Sequence, residues 1–231
     1  MTHPIPFCIL VMALAGSPAT THPAQTTTPN GSRAADIPIR NDVIQSGQPN
    51  LILGSLLGQT GLPAGVAQIH RCSVTSAANL NVKQGTTVLD ATKAFADSNP
   101  DYRWSEDKGV INLIPATGFS LLDTRVRHFD LNATDKTATP ELVLDELLRL
   151  PEVSQRAVEL KLVPGLSQGG PGVYDEHPIP SEPIPIHIRF ANVSLRQAFN
   201  LVARTFGHTI WIYAENECGG KTTYTVSVQK D

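Results

Sequence analysis

The sequence IHIRFANVSLRQAFNLVARTFGHTIWIY, residues 186–213, decides how the end of this chain folds. Its first five residues alternate apolar and polar side chains, which is typical of a strand with one buried face. The following apolar residues recur at intervals of three and four, so they line one face of a helix. They are Leu195, Ala198, Phe199, Val202, Ala203 and Phe206. The segment therefore predicts a strand followed by an amphipathic helix that lies on a sheet.

Local signals mark both ends of this helix. Ser194 followed by Gln197 is the pattern of a capping box, in which two side chains satisfy backbone amides at the helix start. Gly207 can adopt the left-handed conformation that ends many helices. Two further strands are predicted after it, separated by a turn at 218–221. Residues 185–231 are therefore predicted to form a β-α-β-β unit.

The same pattern recurs upstream. A shift of the chain by 107 residues places Thr87 on Ser194 and Trp104 on Trp211 without a gap. The matched segment contains an N-cap candidate, a run of apolar residues with helical spacing and a strand, in the same order. We therefore predict an internal repeat, with a first β-α-β-β unit at residues 51–115.

The segment between the two units, residues 116–170, is predicted to be a helical connector. Thr139 is a suitable N-cap and Pro140 is a suitable first helical residue, where its missing amide costs nothing. A strand at 125–131 is also compatible with the sequence. Residues 171–184 are rich in proline and glycine and are predicted to be a linker. The predicted fold class is therefore α+β, with two β-α-β-β helix-on-sheet units joined by a helical connector.

The N-terminal residues have the character of an export signal. Residues 1–15 contain a short apolar run that ends in a small-residue cleavage sequence at 13–15, although no Lys or Arg precedes Arg33. Residues 16–50 are rich in Thr, Pro, Ser and Asn, and are predicted to be a disordered linker, although a short element is compatible with residues 42–57. We therefore expect a periplasmic or secreted protein with no integral membrane segment in the mature chain.

Two cysteines lie outside the predicted signal. In an oxidising compartment Cys72 and Cys218 would form an even pair, so they are the candidates for one disulfide. The alternative is two unpaired buried thiols. A bridge would close a long loop and would restrict the unfolded chain.

The composition limits the classes of ligand. The net charge is −3 and 17% of residues are charged, whereas a nucleic-acid-binding face is usually basic. The segment 175–177 and His187 come nearest to a set of metal ligands, but their spacing matches no known arrangement. We therefore expect no nucleic acid, no metal and no cofactor.

Three segments of the last unit combine into a known pattern. They are residues 186–190, 193–199 and 203–207, which give a strand, a helix of the form sL..aL..la..tG and a glycine stop. In this combination the unit resembles the short N-terminal domain found in secretins and TonB-dependent receptors, with a fainter echo at 80–115. The resemblance implies a periplasmic role in protein contact or signalling rather than catalysis.

Four aromatic residues are the candidates for a binding surface. Tyr102 shares a strand face with Trp104, and Trp211 shares one with Tyr213. They either close the cores between helix and sheet, or form an exposed aromatic face for a partner protein, a sugar or a peptide.

One motif suggests an enzyme instead. Residues 165–169 match G-x-S-x-G, with Ser167 as the nucleophile of a serine hydrolase. A nucleophile elbow requires a helix directly after the serine, and Gly-Pro-Gly at 170–172 cannot begin one. We therefore expect a non-enzymatic interaction module of the bacterial cell envelope that docks through a sheet edge or an aromatic face. A sugar- or peptide-binding module is the first alternative.

Overall fold

The computed structural model describes residues 36–72, 78–117, 121–133, 138–165 and 186–230. The predicted signal at 1–15, the linker at 171–184 and Ser167 lie outside these ranges. The described residues form helices and mixed sheets, so the predicted α+β class is confirmed. None of these helices is long and apolar enough to cross a membrane.

The first half of the described chain contains five strands and two helices. In chain order they are β1 (Val43–Gly47), α1 (Pro49–Leu57), β2 (Ala64–Arg71), β3 (Ala78–Val82), α2 (Val88–Ser98), β4 (Tyr102–Asp107) and β5 (Val110–Pro115).

The second half contains five strands and three helices. They are β6 (Arg125–Ala133), α3 (Pro140–Leu148), α4 (Pro151–Glu159), β7 (Leu162–Pro164), β8 (Ile186–Ser194), α5 (Leu195–Phe206), β9 (Thr209–Cys218) and β10 (Lys221–Lys230).

The helix caps formed as predicted. The Ser194 hydroxyl accepts the backbone N–H of Gln197, and the Gln197 side chain accepts the N–H of Ser194, which completes the capping box of α5. Thr87 accepts the N–H of Asp90 at the start of α2. Each such cap is worth about 1 kcal/mol of helix stability. The two N-caps therefore support the repeat at the spacing of 107 residues.

The two halves have the same sheet topology. In the first half β1 pairs with β3, and β2 pairs in parallel with β5, which pairs with β4. In the second half β6 pairs with β8, and β7 pairs in parallel with β10, which pairs with β9. Each half therefore has the order β-α-β-β-α-β-β, with the helix pair α3 and α4 in the place of α1.

This topology enlarges the predicted repeat. The order β-α-β-β is present twice, but the first strand of each predicted unit pairs with a strand outside that unit. Residues 116–170 were predicted to be a helical connector, yet they also contain β6 and β7, which complete sheets of the second half. Likewise β1 and the start of α1 lie within residues 16–50, so the prediction of a disordered linker is wrong for 43–50. The short element allowed at 42–57 is a strand followed by a helix, and the strand buries Val43 in the core.

The halves join through one six-stranded sheet with the order β4-β5-β2-β9-β10-β7. Side chains alternate between the two faces of a strand, and each face packs on a different core. The first core lies between this sheet and the first half's helices, and includes Leu53, Leu56, Val66, Leu80, Phe95, Leu113 and Ile210. The second core lies on the opposite face, and includes Ala67, Phe129, Leu144, Phe199, Val202, Trp211 and Tyr213. The described residues accordingly form one compact unit.

Candidate strand-docking edge

The four candidate aromatic residues occupy two different environments. Trp211 and Tyr213 lie in β9, an internal strand of the six-stranded sheet, and both are fully buried. Tyr102 and Trp104 lie in β4, an edge strand, and are only partly buried. Of the two alternatives for Trp211 and Tyr213, the structure has the buried one, because β2 lies beside β9 and the second core includes both rings.

Trp211 is held by packing and by a hydrogen bond. Its ring meets Phe199 of α5 edge-on, with centroids 5.5 Å apart. Its Nε1–H donates to the Asn200 side-chain oxygen at 2.9 Å. The Asn200 amide in turn donates to the Asp107 carboxylate at 3.1 Å, so this chain of contacts ties the end of β4 to α5. A buried indole N–H with a partner avoids the cost of an unsatisfied donor.

The strand beside Trp211 needs a glycine. Gly65 in β2 is the direct partner of Trp211 in the parallel register. A Cβ atom at Gly65 would overlap the ring carbons Cε2 and Cζ2 of Trp211. The indole therefore covers the bare backbone of β2, and any side chain at position 65 would displace it.

The junction between β2 and β9 is the seam of the molecule. All eight residues of β2 pair with β9, from Ala64 opposite Ile210 to Arg71 opposite Glu217. Beyond the last pair, Cys72 and Cys218 form a disulfide with Cα atoms 5.3 Å apart. The Arg71 guanidinium also contacts the Glu217 carboxylate at 2.9 Å, although both groups are largely exposed and add little. The seam is therefore closed by strand pairing and by a covalent bond.

A buried tyrosine and a carboxylate lie along the same seam. The Tyr213 hydroxyl donates to the Glu215 carboxylate at 2.6 Å. Burial raises the pKa of Glu215, and the hydrogen bond from Tyr213 opposes that rise without cancelling it. Burial and the neighbouring Glu215 charge raise the pKa of Tyr213 far above its usual range. Tyr213 belongs to the second core, and this hydrogen bond links its hydroxyl to a partly buried carboxylate of the same strand.

The edge strand β4 presents aromatic and charged side chains together. Tyr102 and Trp104 face the first core, and the Tyr102 ring meets Phe95 edge-on with centroids 5.9 Å apart. Burial, together with the nearby charge of Asp101, raises the pKa of Tyr102 to about 12. Arg103 and Glu106 are exposed on opposite faces of the strand. Among the described strands β4 has one neighbour, β5, so the other side of its backbone is open.

β4 and β9 are equivalent strands. Each follows the capped helix of its half, and each carries a tryptophan that faces the core of that half. The offset of 107 residues relates Trp104 to Trp211 and also relates Arg103 to Ile210 and Glu106 to Tyr213. β9 is occupied by β2, whereas no described strand occupies β4.

The described surface carries a groove and an exposed ion pair outside the β4 edge. A groove of about 610 Å³ runs between β1 and α1, where Ile44 and Leu51 are 64% and 61% exposed. His187 contacts the Asp130 carboxylate at 2.9 Å across the pair β6 and β8, on an exposed surface. Within the described ranges no three His, Cys, Asp or Glu side chains are grouped so that they could hold a metal ion.

Sequence reasoning missed Gly65 and Asn200, the two residues that fix Trp211. An isolated glycine inside an apolar strand pattern indicates close approach of another group, and Gly65 within Ala64–Arg71 fits that signal. Asn200 lies at a buried position of α5, and a polar residue there indicates a specific hydrogen-bonding partner. Comparison of the chain with known proteins gives no relative: no protein family, curated protein or solved structure matches it.

Proposed function

We propose that this chain is a non-enzymatic interaction module of the bacterial cell envelope, and that it binds its partner by adding an extended strand of that partner to β4. The equivalence of β4 and β9 carries the proposal. The molecule itself uses a strand in this position to accept a neighbour, since β9 pairs with all eight residues of β2. Main-chain hydrogen bonds to an open edge supply affinity in such complexes, and side-chain contacts supply specificity.

β4 is a better acceptor than the other end of the sheet. The opposite edge strand, β7, has three residues and contains Pro164, which has no N–H to donate. Short length and proline are the usual protections against strand addition. β4 has six residues, no proline, and an aromatic pair that a neighbouring strand would cover. Its charges protect it from unspecific pairing while still permitting a partner of matching charge.

Support for an envelope location comes from the cysteines and from the resemblance of the last unit to domains of secretins and TonB-dependent receptors. A disulfide between Cys72 and Cys218 suits an oxidising compartment such as the periplasm. The resemblance covers only the last unit, whereas the β-α-β-β-α-β-β order is present in both halves of the chain.

Site-specific photo-cross-linking tests the proposal. A photoreactive phenylalanine analogue in place of Ser105, an exposed residue of β4, is expected to capture one partner protein in the native envelope. Mass spectrometry of the cross-link should map to an extended segment of that partner. The matched control places the same analogue at Ile44, an exposed residue of the edge strand β1. Equal capture from both positions, or capture from Ile44 alone, would refute docking at β4.

A further inference from the structure

The seam between β2 and β9 specifies the chemistry of the strand that β4 accepts. We infer that this strand runs parallel to β4 and carries a glycine opposite Trp104, an acidic residue opposite Arg103 and a basic residue opposite Glu106. The inference rests on the proposed function and adds the direction and sequence of the partner strand.

The direction and the glycine follow from the equivalent strand. β2 runs parallel to β9 with Gly65 opposite Trp211, and a Cβ there would overlap the indole ring. Trp104 is the equivalent tryptophan and is only partly buried, because β5 is its one neighbour among the described strands. A partner strand in the same register places its own residue opposite Trp104, and a glycine there lets the ring cover the partner backbone.

The charges follow from what differs between the two strands. Ala64 and Ala67 of β2 lie opposite Ile210 and Tyr213, and both of these β9 side chains are buried. Arg103 and Glu106 take these two places in β4 and are exposed. Directly opposed residues of opposite charge stabilise strand pairing, and like charges destabilise it. The partner strand therefore has the order acidic, glycine, any residue, basic.

A second copy of this chain does not supply that strand. In the repeated topology β7 is the counterpart of β2, because each pairs in parallel with the last strand of its half over three residues. β7 has only three residues and ends in Pro164, which has no N–H to donate. The sequence also contains no Asp-Gly or Glu-Gly pair, so a second copy does not offer an acidic residue directly before a glycine. Head-to-tail pairing of β7 with β4 of another molecule is therefore disfavoured.

A synthetic peptide provides the test. The probe copies residues 62–69, the start of β2, with A64E and A67K and with blocked ends, and it is titrated into the isotope-labelled full chain. We expect chemical-shift changes at the β4 amides and the Trp104 indole, with none in β1. A nitroxide on the peptide N-terminus should broaden Tyr102 more than Asp107, as parallel strands require.

Three controls test the glycine, the two charges and the exclusion of a second copy. The same peptide with valine for glycine is expected to bind at least about tenfold more weakly, because the indole has no room for the side chain. A peptide with the two charges exchanged should bind about tenfold more weakly, and the chain variant R103E/E106R should restore its binding. Sedimentation of the full chain should show a monomer.

Each failure has a separate meaning. Equal binding of the glycine and valine peptides, or of both charge patterns, overturns the inferred partner sequence, and so does broadening that is stronger at Asp107. Dimers that dissociate on mutation of β4 overturn the exclusion of a second copy. If no peptide binds while Ser105 still captures a partner, the inference fails but docking at β4 stands. If Ser105 captures nothing, the proposed function itself fails.

Discussion

β9 and β4 occupy the same place in two halves of one topology, yet one is the centre of the sheet and the other is its edge. Their tryptophans follow equally spaced N-caps and face the cores of their own halves. Trp211 is nevertheless fully buried, whereas Trp104 is not. The difference lies in the neighbouring strand, because β2 covers the side of β9 that remains open in β4.

Burial of an aromatic residue in this sheet depends on which strand lies beside it, as much as on which face of its own strand it occupies. β2 is distant from β9 in sequence, since Gly65 and Trp211 belong to opposite halves of the chain. A strand accepted from far along the chain and a strand accepted from another protein make the same kind of contact. The seam is therefore an internal example of the binding mode proposed for β4.

The largest loss of stability is expected from truncation of Trp211, with the same truncation at Trp104 as the comparison. Trp211→Ala removes a fully buried ring and leaves Asn200 without its donor, so the free energy of unfolding should fall by about 4 kcal/mol. Trp104→Ala should cost about 1 kcal/mol, because the ring is only partly buried. Urea denaturation followed by circular dichroism measures both.

Equal costs for the two substitutions would contradict the assignment of β4 as an open edge. Trp211→Phe is the fallback if Trp211→Ala does not fold. It keeps an aromatic ring but loses the hydrogen bond to Asn200, so it should still destabilise the chain more than Trp104→Phe does.

The sequence predicts those features of the two halves that depend on residues close together along the chain. The caps Thr87 and Ser194 were predictable, because a cap bonds to an amide three residues away. Helix α3 was predictable from Thr139 and Pro140 for the same reason. These local signals also gave the α+β class.

The remaining parts of the fold depend on pairings that leave little trace in the sequence. β1 buries one of its five residues and β7 has only three residues, so neither shows a period of two. The role of Trp211 depends on β2, and sequence alternation cannot tell which strand will lie beside another. The site was therefore predicted at the level of candidate aromatic residues, and the choice of Tyr102 and Trp104 over Trp211 and Tyr213 required the sheet order.

The disulfide gives the second largest effect and tests what closes the seam. The double variant C72S/C218S should lower the free energy of unfolding by about 3 kcal/mol, which is the typical stabilisation by one disulfide. Urea titrations with and without reductant measure this difference in the parent chain. Reductant should have no effect on the double variant, and an unchanged parent chain under reduction would show that the bond contributes nothing to the seam.

The smallest effect concerns the pH dependence of the seam, through Glu215. Burial raises the pKa of Glu215 in the folded state above its usual value of 4.5, so the native chain retains a proton that the unfolded chain loses. Stability from this group is present below pH 4.5 and is lost as pH rises through the folded pKa. Glu215→Gln keeps an acceptor for Tyr213 without the charge. The variant should therefore gain stability relative to the parent chain above the folded pKa, and the two should converge at pH 4.

Tyr213→Phe makes this last prediction sharper, because it removes a hydrogen bond that favours the charged form of Glu215. The pKa of Glu215 should then rise further, and the loss of stability with rising pH should extend to higher pH. Urea midpoints at several pH values between 4 and 8 give the three curves. If the urea midpoints of the parent chain and of Glu215→Gln change with pH in the same way, burial does not shift the pKa of Glu215. The carboxylate would then be fully hydrated, and this end of the seam would be as open to water as the β4 edge.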